Sequence, residues 1–459
     1  MSSRVRGIVA IIYLVLCLLL GGASAIGAGA VGNAILQTLA VIIILALMWT
    51  RRATIPAEAR WLIAAFGLFL GWGLLSLVPL PAALWQALPY RGEIAEGLEM
   101  LGIDGQGMPA SLAPSATIAS LLWLLPPAAL FLIAVTLAPD ARRRLFAAVI
   151  FVAALSICLG IFQLLGGTGS NLRFYEITNQ GSPVGFFSNI NHQATLLLCA
   201  LPCVAVIGAR FATRRDRSKR SGGMVMTTAL ALFLTGGIAL SGSVAGYGLF
   251  LIAAFASLLI YRRATAGTIG TTWKAALAVL LVAFVTFAAT GPLNREALAE
   301  KYSDSESSRG ELAGTTIEAI ADSFPAGTGL GSFANVFRRY QDPLQVQREY
   351  ANHAHNDYLE IVLEQGVAGL LVVGLFFFWW GRRTIWAWRI DGAGASAARA
   401  GSVIIGIVLL HSIVDYPMRT SAIAAIVALA CAALMPPPVP RKRRSEGDAE
   451  PAARHLEAV

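Results

Sequence analysis

A short polar stretch opens an apolar segment in the last quarter of the chain. It contains His353, His355, Asn356, Asp357 and Glu360, and Glu364 follows one helical turn later. Ionisable groups in or beside a bilayer are costly, and they are kept mainly where they have a function. A neutral imidazole titrates near pH ~6.5, which suits a general base that takes a proton from a hydroxyl. The stretch is therefore our first candidate site.

Two other interpretations of this stretch stay open at the level of sequence. Asn352 or Asn356 can cap a helix, and an acid such as Asp357 in the first turn interacts well with the helix dipole. Capping does not explain two histidines and a glutamate deeper in the helix. A zinc site on His353 and His355 with Asp357 is the second interpretation. Beyond the two histidines, however, no third strong zinc ligand is evident nearby. We predict neither a metal nor a cofactor.

Three further polar clusters lie beside apolar segments. They are Asn191 with His192, Arg309 with the later pair Arg338 and Arg339, and His411 with Asp415. Each has a structural alternative. Asn191 can be a helix cap, Arg309 can be a solvated surface charge, and His411 with Asp415 can be a pair at a helix end. His411 and Asp415 are four residues apart and can meet on one helix face.

The composition indicates the class of protein that must position these groups. The chain has 459 residues, of which 56% are hydrophobic and 13% charged, against about 25% charged in a soluble protein. Apolar runs long enough to cross a bilayer recur along the whole chain. We predict an all-α polytopic membrane protein with about twelve transmembrane helices. The predicted spans are 8–25, 31–49, 61–80, 116–138, 145–165, 190–209, 224–240, 243–261, 273–290, 357–380, 400–415 and 420–435.

The charge distribution predicts the orientation. The formal net charge is +9, and most basic residues fall on one side of the predicted spans, as the positive-inside rule requires of cytoplasmic segments. Both termini are then cytoplasmic, the first span is an uncleaved signal anchor, and nucleic acid is excluded as a partner. Residues 1–435 form one membrane domain with a large periplasmic loop, 291–356, between spans nine and ten, and 436–459 form a disordered cytoplasmic tail.

Two segments outside the spans have predicted structure. In the large loop we expect helices at 306–322 and 332–341, joined by a turn at 327–331. This glycine run does not follow a strand, so a nucleotide-binding loop is not indicated. The Pro-rich segment 81–115 is amphipathic, and we expect it to lie at the interface with membrane lipids.

The motifs resemble those of one superfamily. The stretch from His353 to Glu360, followed by Glu364-x-Gly366-x-x-Gly369, is similar to the signature of O-antigen ligases and polymerases. Its other motifs are matched in the same order by three segments: Phe187-Ser-Asn189-Ile-Asn191-His-x-Ala194, Arg309 with Pro325-x-Gly327-x-Gly329-x-Gly331-x-Phe333, and His411-Ser-Ile-Val-Asp415-Tyr-Pro417.

The resemblance implies an activity and a location. It implies a GT-C-like glycosyltransferase that moves a glycan from an undecaprenyl-diphosphate carrier to an acceptor hydroxyl at the periplasmic face of the bacterial inner membrane. No nucleotide sugar is needed. A ligase uses lipid A–core as acceptor, and a polymerase uses a second carrier-linked glycan.

The resemblance also implies roles for single residues. His355 is the expected base, oriented by Glu360 or Asp357. Arg309 and Arg338 are expected to hold the diphosphate, and the remaining candidates, namely Arg339, His353, Asn356, Asn191, His192, His411 and Asp415, to bind substrate. The chain departs from the pattern at Val244, where the superfamily often has an arginine, and in lacking an aromatic residue soon after Arg309.

Three alternatives remain at this point. Ligase and polymerase are not separated by sequence. A lipid-linked glycan transporter or flippase is the competing class, but such a protein is expected to place charges near the bilayer midplane, whereas these clusters lie at helix ends. A non-catalytic scaffold of an export complex is the third.

Overall fold

The computed structural model describes residues 2–24, 29–50, 55–103, 105–265, 295–341, 351–391 and 394–436, together with 282 and 285. Of these described residues, 75% are helical. Almost all of the predicted ninth span, 273–290, and all but the first residue of the predicted tail, 436–459, lie outside the described residues.

Most predicted spans are helices. They comprise α1 (Ser3–Leu20), α2 (Ala30–Trp49), α3 (Ala57–Leu75), α6 (Pro114–Trp123) continued by α7 (Leu125–Val135), α8 (Pro139–Leu165), α9 (Ile190–Ala212), α10 (Arg217–Ser241), α11 (Val244–Ala264), α14 (Asp357–Arg389), α15 (Ala395–His411) and α16 (Ser421–Ala433). Within the described ranges nine helices are long and apolar enough to cross a membrane, with α6 and α7 taken together. α15 and α16 are apolar but shorter. The described residues therefore support an all-α polytopic arrangement and do not reach the predicted count of twelve.

The centre of the bundle is formed by α9 and α16. Of the most apolar window of α9, 83% is buried, and α8, α10, α11 and α15 pack around it. Every residue of α16 is buried, since its alanines allow close helix contact. The polar residues at the starts of α9 and α16 are consequently held deep inside the protein.

The large loop contains two helices, as predicted. α12 (Arg295–Ser323) begins earlier than the predicted 306, and α13 (Phe333–Tyr340) lies within 332–341. Phe333 and Phe337 of α13 pack with Leu363 of α14 in a second, small apolar core. This core attaches the loop to the membrane helices.

The 327–331 turn joins the loop to a break in α14. Gly366 has φ 54 and interrupts that helix, which leaves carbonyls without intrahelical partners. The turn supplies the missing donors: Thr328 N–H bonds the Leu363 carbonyl at 3.0 Å, and Gly329 N–H bonds the Glu364 carbonyl at 2.8 Å. A Cβ on Gly327 would lie 2.6 Å from the Gly366 nitrogen, so the glycine permits this close backbone approach.

The Pro-rich segment packs on the same turn. Strands β1 (Pro79–Leu80) and β2 (Met108–Pro109) pair antiparallel and flank α4 (Ala82–Gln86) and α5 (Gly92–Met100). The buried Arg91 guanidinium donates to the carbonyls of Ala110 at 2.6 Å and Gly327 at 3.3 Å. The predicted lipid contact of this segment stays a prediction.

The break in α14 yields a stability prediction. A Cβ at Gly366 would collide with the Pro325 carbonyl oxygen, and the positive φ adds strain. We expect Gly366→Ala to destabilise the protein by at least about 1–3 kcal/mol. Gly374→Ala in the same helix is the control, since its Cβ would meet open space. Thermal unfolding in detergent tests both, and equal midpoints would contradict this account of the break.

Candidate functional site

The predicted polar residues gather at one end of the bundle. There α9 and α14 begin, α15 ends, and the connection 412–420 leads into α16. We call this region the site end.

Asp415 lies at the centre of the site end and is completely buried. Asn191 Nδ2 donates to its Oδ2 at 2.5 Å, and Tyr416 N–H donates to its Oδ1 at 2.8 Å. A buried carboxylate needs such partners, because an unpaired one would be strongly disfavoured.

Three further side chains surround this carboxylate at ion-pair distance. His192 Nε2 lies 3.6 Å from Oδ1, His355 Nδ1 lies 3.8 Å from Oδ1, and Arg309 Nη2 lies 3.8 Å from Oδ2. These separations are longer than hydrogen bonds. We call Asp415, Asn191, His192, Arg309 and His355 the Asp415 cluster. The structure thus brings together residues from four of the predicted motifs.

A second layer supports this cluster. Ser243 caps α11 and donates to Asn191 Oδ1 at 2.7 Å. His411 is fully buried and meets Thr195 Oγ1 through Nδ1 at 2.8 Å. Ser243 directly precedes Val244, the position at which the superfamily often has an arginine. In this chain the neighbouring serine instead contributes a hydroxyl to the hydrogen-bond network.

The pKa values follow from burial and neighbouring charge. Burial alone raises the pKa of Asp415, but His192, His355 and His411 outweigh it and hold the pKa of this carboxyl far below its usual range. Burial lowers the pKa of His355, and Asp415 offsets this only in part. Near neutral pH the site therefore has an ionised carboxylate beside a neutral imidazole, which is the form that accepts a proton.

His355 has an unusual backbone. Its φ is +51, a left-handed conformation that costs free energy in a non-glycine residue and occurs often at functional sites. Its side chain is 27% exposed, whereas Asp415 is fully enclosed. Among the described residues, Nδ1 has no hydrogen-bond partner. Nδ1 is thus buried on the side of the carboxylate, while part of the ring remains exposed.

Asn356 acts as the cap of α14, which is the structural alternative stated above. Its Oδ1 accepts from the N–H groups of Tyr358 and Leu359, both at 3.0 Å. Its Nδ2 donates to the Ile413 carbonyl at 2.9 Å. Asn356 therefore connects α14 to the segment that carries Asp415.

Arg419 organises a second cluster, which the sequence analysis did not identify. Its guanidinium lies 3.0 Å from Glu364, 3.4 Å from Glu360 and 3.6 Å from Asp357. The three carboxylates share one face of α14 because they lie at helical spacing. We call Arg419 and these three residues the Arg419 cluster. Three acids on one buried helix face require a cation. This requirement is the feature of the sequence that could have led to a search for a residue such as Arg419.

The expected pairing of His355 with Glu360 or Asp357 is not what the structure shows. Glu360 Oε1 instead meets His353 Nδ1 at 2.7 Å, and Asp357 Oδ2 accepts from Ser412 Oγ at 2.7 Å. Both acids face Arg419, since they lie on the helix, whereas His355 precedes the helix in a left-handed turn. The carboxylate beside His355 is Asp415.

His353 is held between two acceptors. Nδ1 faces Glu360, and Nε2 lies 3.0 Å from the Ser24 carbonyl oxygen. A carbonyl only accepts, so Nε2 must carry a proton. Burial alone would lower the pKa of His353, but the Glu360 carboxylate outweighs it and the pKa is raised.

Tyr416 lies between the two clusters. Its buried ring is 4.4 Å from the His353 ring, 4.7 Å from the His355 ring and 5.1 Å from the His192 ring, between centroids. The two latter contacts are edge-to-face, a favourable aromatic geometry. Tyr416 therefore fixes the planes of the imidazoles around it.

Of the two later arginines, Arg339 has contacts outside the Asp415 and Arg419 clusters. Arg339 of α13 pairs with Glu93 of α5 and stacks over the Tyr90 ring, 5.0 Å from its centroid. This geometry directs Arg339 towards α5 and does not favour the expected substrate contact. Arg338 lies beside it on α13, and its role in diphosphate binding stays a prediction.

The arrangement suits proton transfer and binding of an anion. Within the described ranges no three His, Cys, Asp or Glu side chains are placed to hold a metal ion. Neutral His355 can accept a proton, and Arg309 offers a guanidinium suited to phosphate oxygens.

The fold and the site define a multi-pass membrane protein with a polar site at one end of its helices. The family model described as O-antigen ligase matches residues 228–374. This match confirms the resemblance to the O-antigen ligase and polymerase superfamily. Members of the family are glycosyltransferase-like enzymes that act on lipid-linked glycans. No curated protein matches the chain.

The matched region covers part of the site. It contains Arg309, the 327–331 turn and the stretch from His353 to Glu364, but not Asn191, Asp415 or Arg419.

The His353–Glu360 pair predicts a pH-dependent stability. His353 has a raised pKa in the folded protein, so its contribution is complete below the unfolded pKa of about 6.5 and is lost as the pH rises through the folded pKa. We expect the difference in unfolding temperature between the wild type and His353→Gln to be larger at pH 6 than at pH 9. Scanning fluorimetry in detergent measures it, and a difference that grows with pH would contradict the pairing.

Proposed function

We propose that the protein is a membrane glycosyltransferase of the O-antigen ligase type. It transfers a glycan from an undecaprenyl-diphosphate carrier to an acceptor hydroxyl, with lipid A–core as acceptor, at the periplasmic face of the bacterial inner membrane. The observation that carries the proposal is the partly exposed His355 beside the buried Asp415, with Arg309 near the other oxygen of the same carboxylate.

The proposed step is a direct displacement at the anomeric carbon of the donor sugar. The acceptor oxygen forms a bond to this carbon as its proton passes to His355. The bond between the carbon and the diphosphate oxygen breaks, and undecaprenyl diphosphate leaves with the electron pair. Attack opposite the leaving group inverts the configuration. No nucleotide sugar, metal or ATP takes part, because the diphosphate linkage is already activated.

Asp415 replaces Glu360 and Asp357 as the group that orients the base. Its ionised carboxylate faces His355 Nδ1 and stabilises the imidazolium that forms when the ring accepts the proton. Asn191 keeps the carboxylate oriented through its 2.5 Å hydrogen bond.

Arg309 is the proposed contact of the leaving diphosphate. Its side chain is 27% exposed, while its Nη2 remains 3.8 Å from Asp415. A guanidinium that is partly held and partly accessible can bind phosphate oxygens and stabilise the charge that develops on them. The departure at Val244 makes this residue the principal phosphate contact in our proposal.

The location follows from charge. The basic segments between spans support a cytoplasmic location for the other end of the bundle by the positive-inside rule, and our proposal accordingly puts the site end in the periplasm. Clusters at helix ends favour chemistry on a lipid-borne substrate over a transport pathway through the midplane.

A reconstitution experiment separates the candidate functions. Purified protein in liposomes is supplied with the lipid-linked glycan, with and without lipid A–core. We expect a new glycan–lipid A–core product and release of undecaprenyl diphosphate. Carrier-linked polymer formed without lipid A–core would assign a polymerase, and movement of the donor across the bilayer without covalent change would assign a flippase.

The base assignment predicts a large loss of activity on substitution. We expect His355→Ala and His355→Gln to lower the transfer rate by about 10²–10⁴-fold, the usual contribution of a general base. Arg309→Gln is expected to cost about 10²–10³-fold through loss of charge stabilisation. Arg389→Gln, an exposed charge at the far end of α14, is the control. Full transfer by stably inserted His355→Ala would rule out this chemistry.

The environment of His355 predicts the pH profile. Burial, Arg309, His353 and His192 lower its pKa, and Asp415 raises it, with a net value below the ordinary one of about 6.5. We expect kcat/KM to stay level on acidification to about pH 6.5 and to fall only below it. Asp415→Asn should move this fall to still lower pH. A fall centred above pH 7 would contradict the assignment of His355.

A further inference from the structure

Among the described residues, Arg419 is the one whose charged group contacts Asp357, Glu360 and Glu364 together. It ends a single 3₁₀ turn, Pro417–Arg419, in the connection between Asp415 and α16. Its side chain is 16% exposed, and its guanidinium lies within 3.6 Å of three acids from the first two turns of α14. One side chain therefore joins the segment that carries Asp415 to the helix that follows His355.

The three buried acids need the positive charge of Arg419 to remain close together at the site end. Asp357, Glu360 and Glu364 are buried or nearly so, and like charges at helical spacing repel. Among the described residues, the cations that contact these acids are Arg419 and His353. Without Arg419, His353 would be the remaining cation among the described residues, and of the three acids it contacts Glu360 only. Removal of one partner from a buried ion pair leaves the others uncompensated.

Two chains of contact lead from Arg419 to His355. The first runs from Glu360 to His353 at 2.7 Å, then to the Tyr416 ring at 4.4 Å, which contacts the His355 ring at 4.7 Å. Glu360, His353 and Tyr416 are all buried, so we expect a displacement at Arg419 to be passed through them to the His355 ring.

The second chain runs along the backbone. Asp357 faces Arg419 and accepts from Ser412 Oγ, and Asp357 N–H bonds the Ser412 carbonyl at 3.0 Å. Asp357 lies two residues after His355, whose left-handed backbone needs support from its surroundings to persist. Arg419 thus constrains His355 through its side chain and through its backbone.

We infer that Arg419 is a positioning residue that holds His355 and Asp415 at their working separation without touching acceptor or diphosphate. This inference rests on the proposed function. It adds a residue that lies outside the matched family region and outside every motif identified in the sequence.

The test compares two substitutions in the full-length protein reconstituted with donor and acceptor. Arg419→Lys keeps the charge but loses the planar fork that reaches several carboxylates. Arg419→Gln removes the charge. We expect kcat to fall with Arg419→Lys and to fall further with Arg419→Gln, by up to about 10²-fold, the cost of misplacing a catalytic group by about 1 Å. KM for the donor should change little, and the acidic fall of the pH profile should move.

Arg142→Gln is the matched control. Arg142 is a buried arginine that donates to the Ala432 and Met435 carbonyls at the opposite end of α16. We expect it to lower the unfolding temperature while leaving kcat per folded molecule and the pH profile unchanged.

A second-site variant tests the mechanism of positioning. Arg419→Gln combined with Glu364→Gln has one fewer unpaired acid, so we expect it to recover part of the lost kcat. Recovery, together with the kcat loss in Arg419→Lys, supports the inference.

The outcomes separate this inference from the proposed function. If both Arg419 variants keep the wild-type kcat per folded molecule and the wild-type pH profile, Arg419 is only structural and the inference is overturned. Arg419→Lys keeps the test decisive if Arg419→Gln does not fold. If His355→Ala retains full transfer, the proposed function fails whatever the Arg419 variants do.

Discussion

The burial of one carboxylate, Asp415, is the constraint on which the site end depends. A fully enclosed negative charge is tolerated only where donors and positive charge surround it. These come from distant parts of the chain: Asn191 from the start of α9, Arg309 from α12 and His355 from the residues before α14. Satisfying this one charge therefore holds three helices of the bundle and the large loop in a fixed relation, and it leaves a neutral imidazole partly exposed beside an arginine.

The Arg419 cluster, only a few residues away, has the reverse arrangement of charge. In it one cation is surrounded by three acids, whereas Asp415 is one acid surrounded by several donors. The ring of Tyr416 lies between the two clusters and contacts His353, which pairs with Glu360 of the Arg419 cluster, and His355 of the Asp415 cluster. The environments differ in their effect on histidine: His353, against Glu360, has a raised pKa, and His355, buried with weaker support from Asp415, has a lowered one. Two histidines separated by one residue thus have pKa values shifted in opposite directions, and the polar stretch combines a structural ion pair with a proposed base.

Much of the fold and of the site membership was predictable, because both depend on local pattern. Apolar run length placed the described spans, and the motifs selected Asn191, His192, Arg309, His355 and Asp415, which the structure brings together. The pairing within the site was not predictable. Glu360 or Asp357 was the expected partner of His355, but His355 precedes α14 in a left-handed conformation, so its ring faces another segment. Arg419, Tyr416 and Ser243 were missed because their partners lie far away in the sequence.

By itself the sequence determined that this is a helical membrane protein with a polar site at one end and motifs of the O-antigen ligase and polymerase superfamily. Hydropathy and motif order are properties of consecutive residues, so no folding was needed to recognise them. Only the tertiary structure decided which carboxylate faces which cation, and that the glycine turn closes a helix break. These depend on short-range forces between groups that folding brings within a few ångströms, and no spacing along the chain encodes them directly.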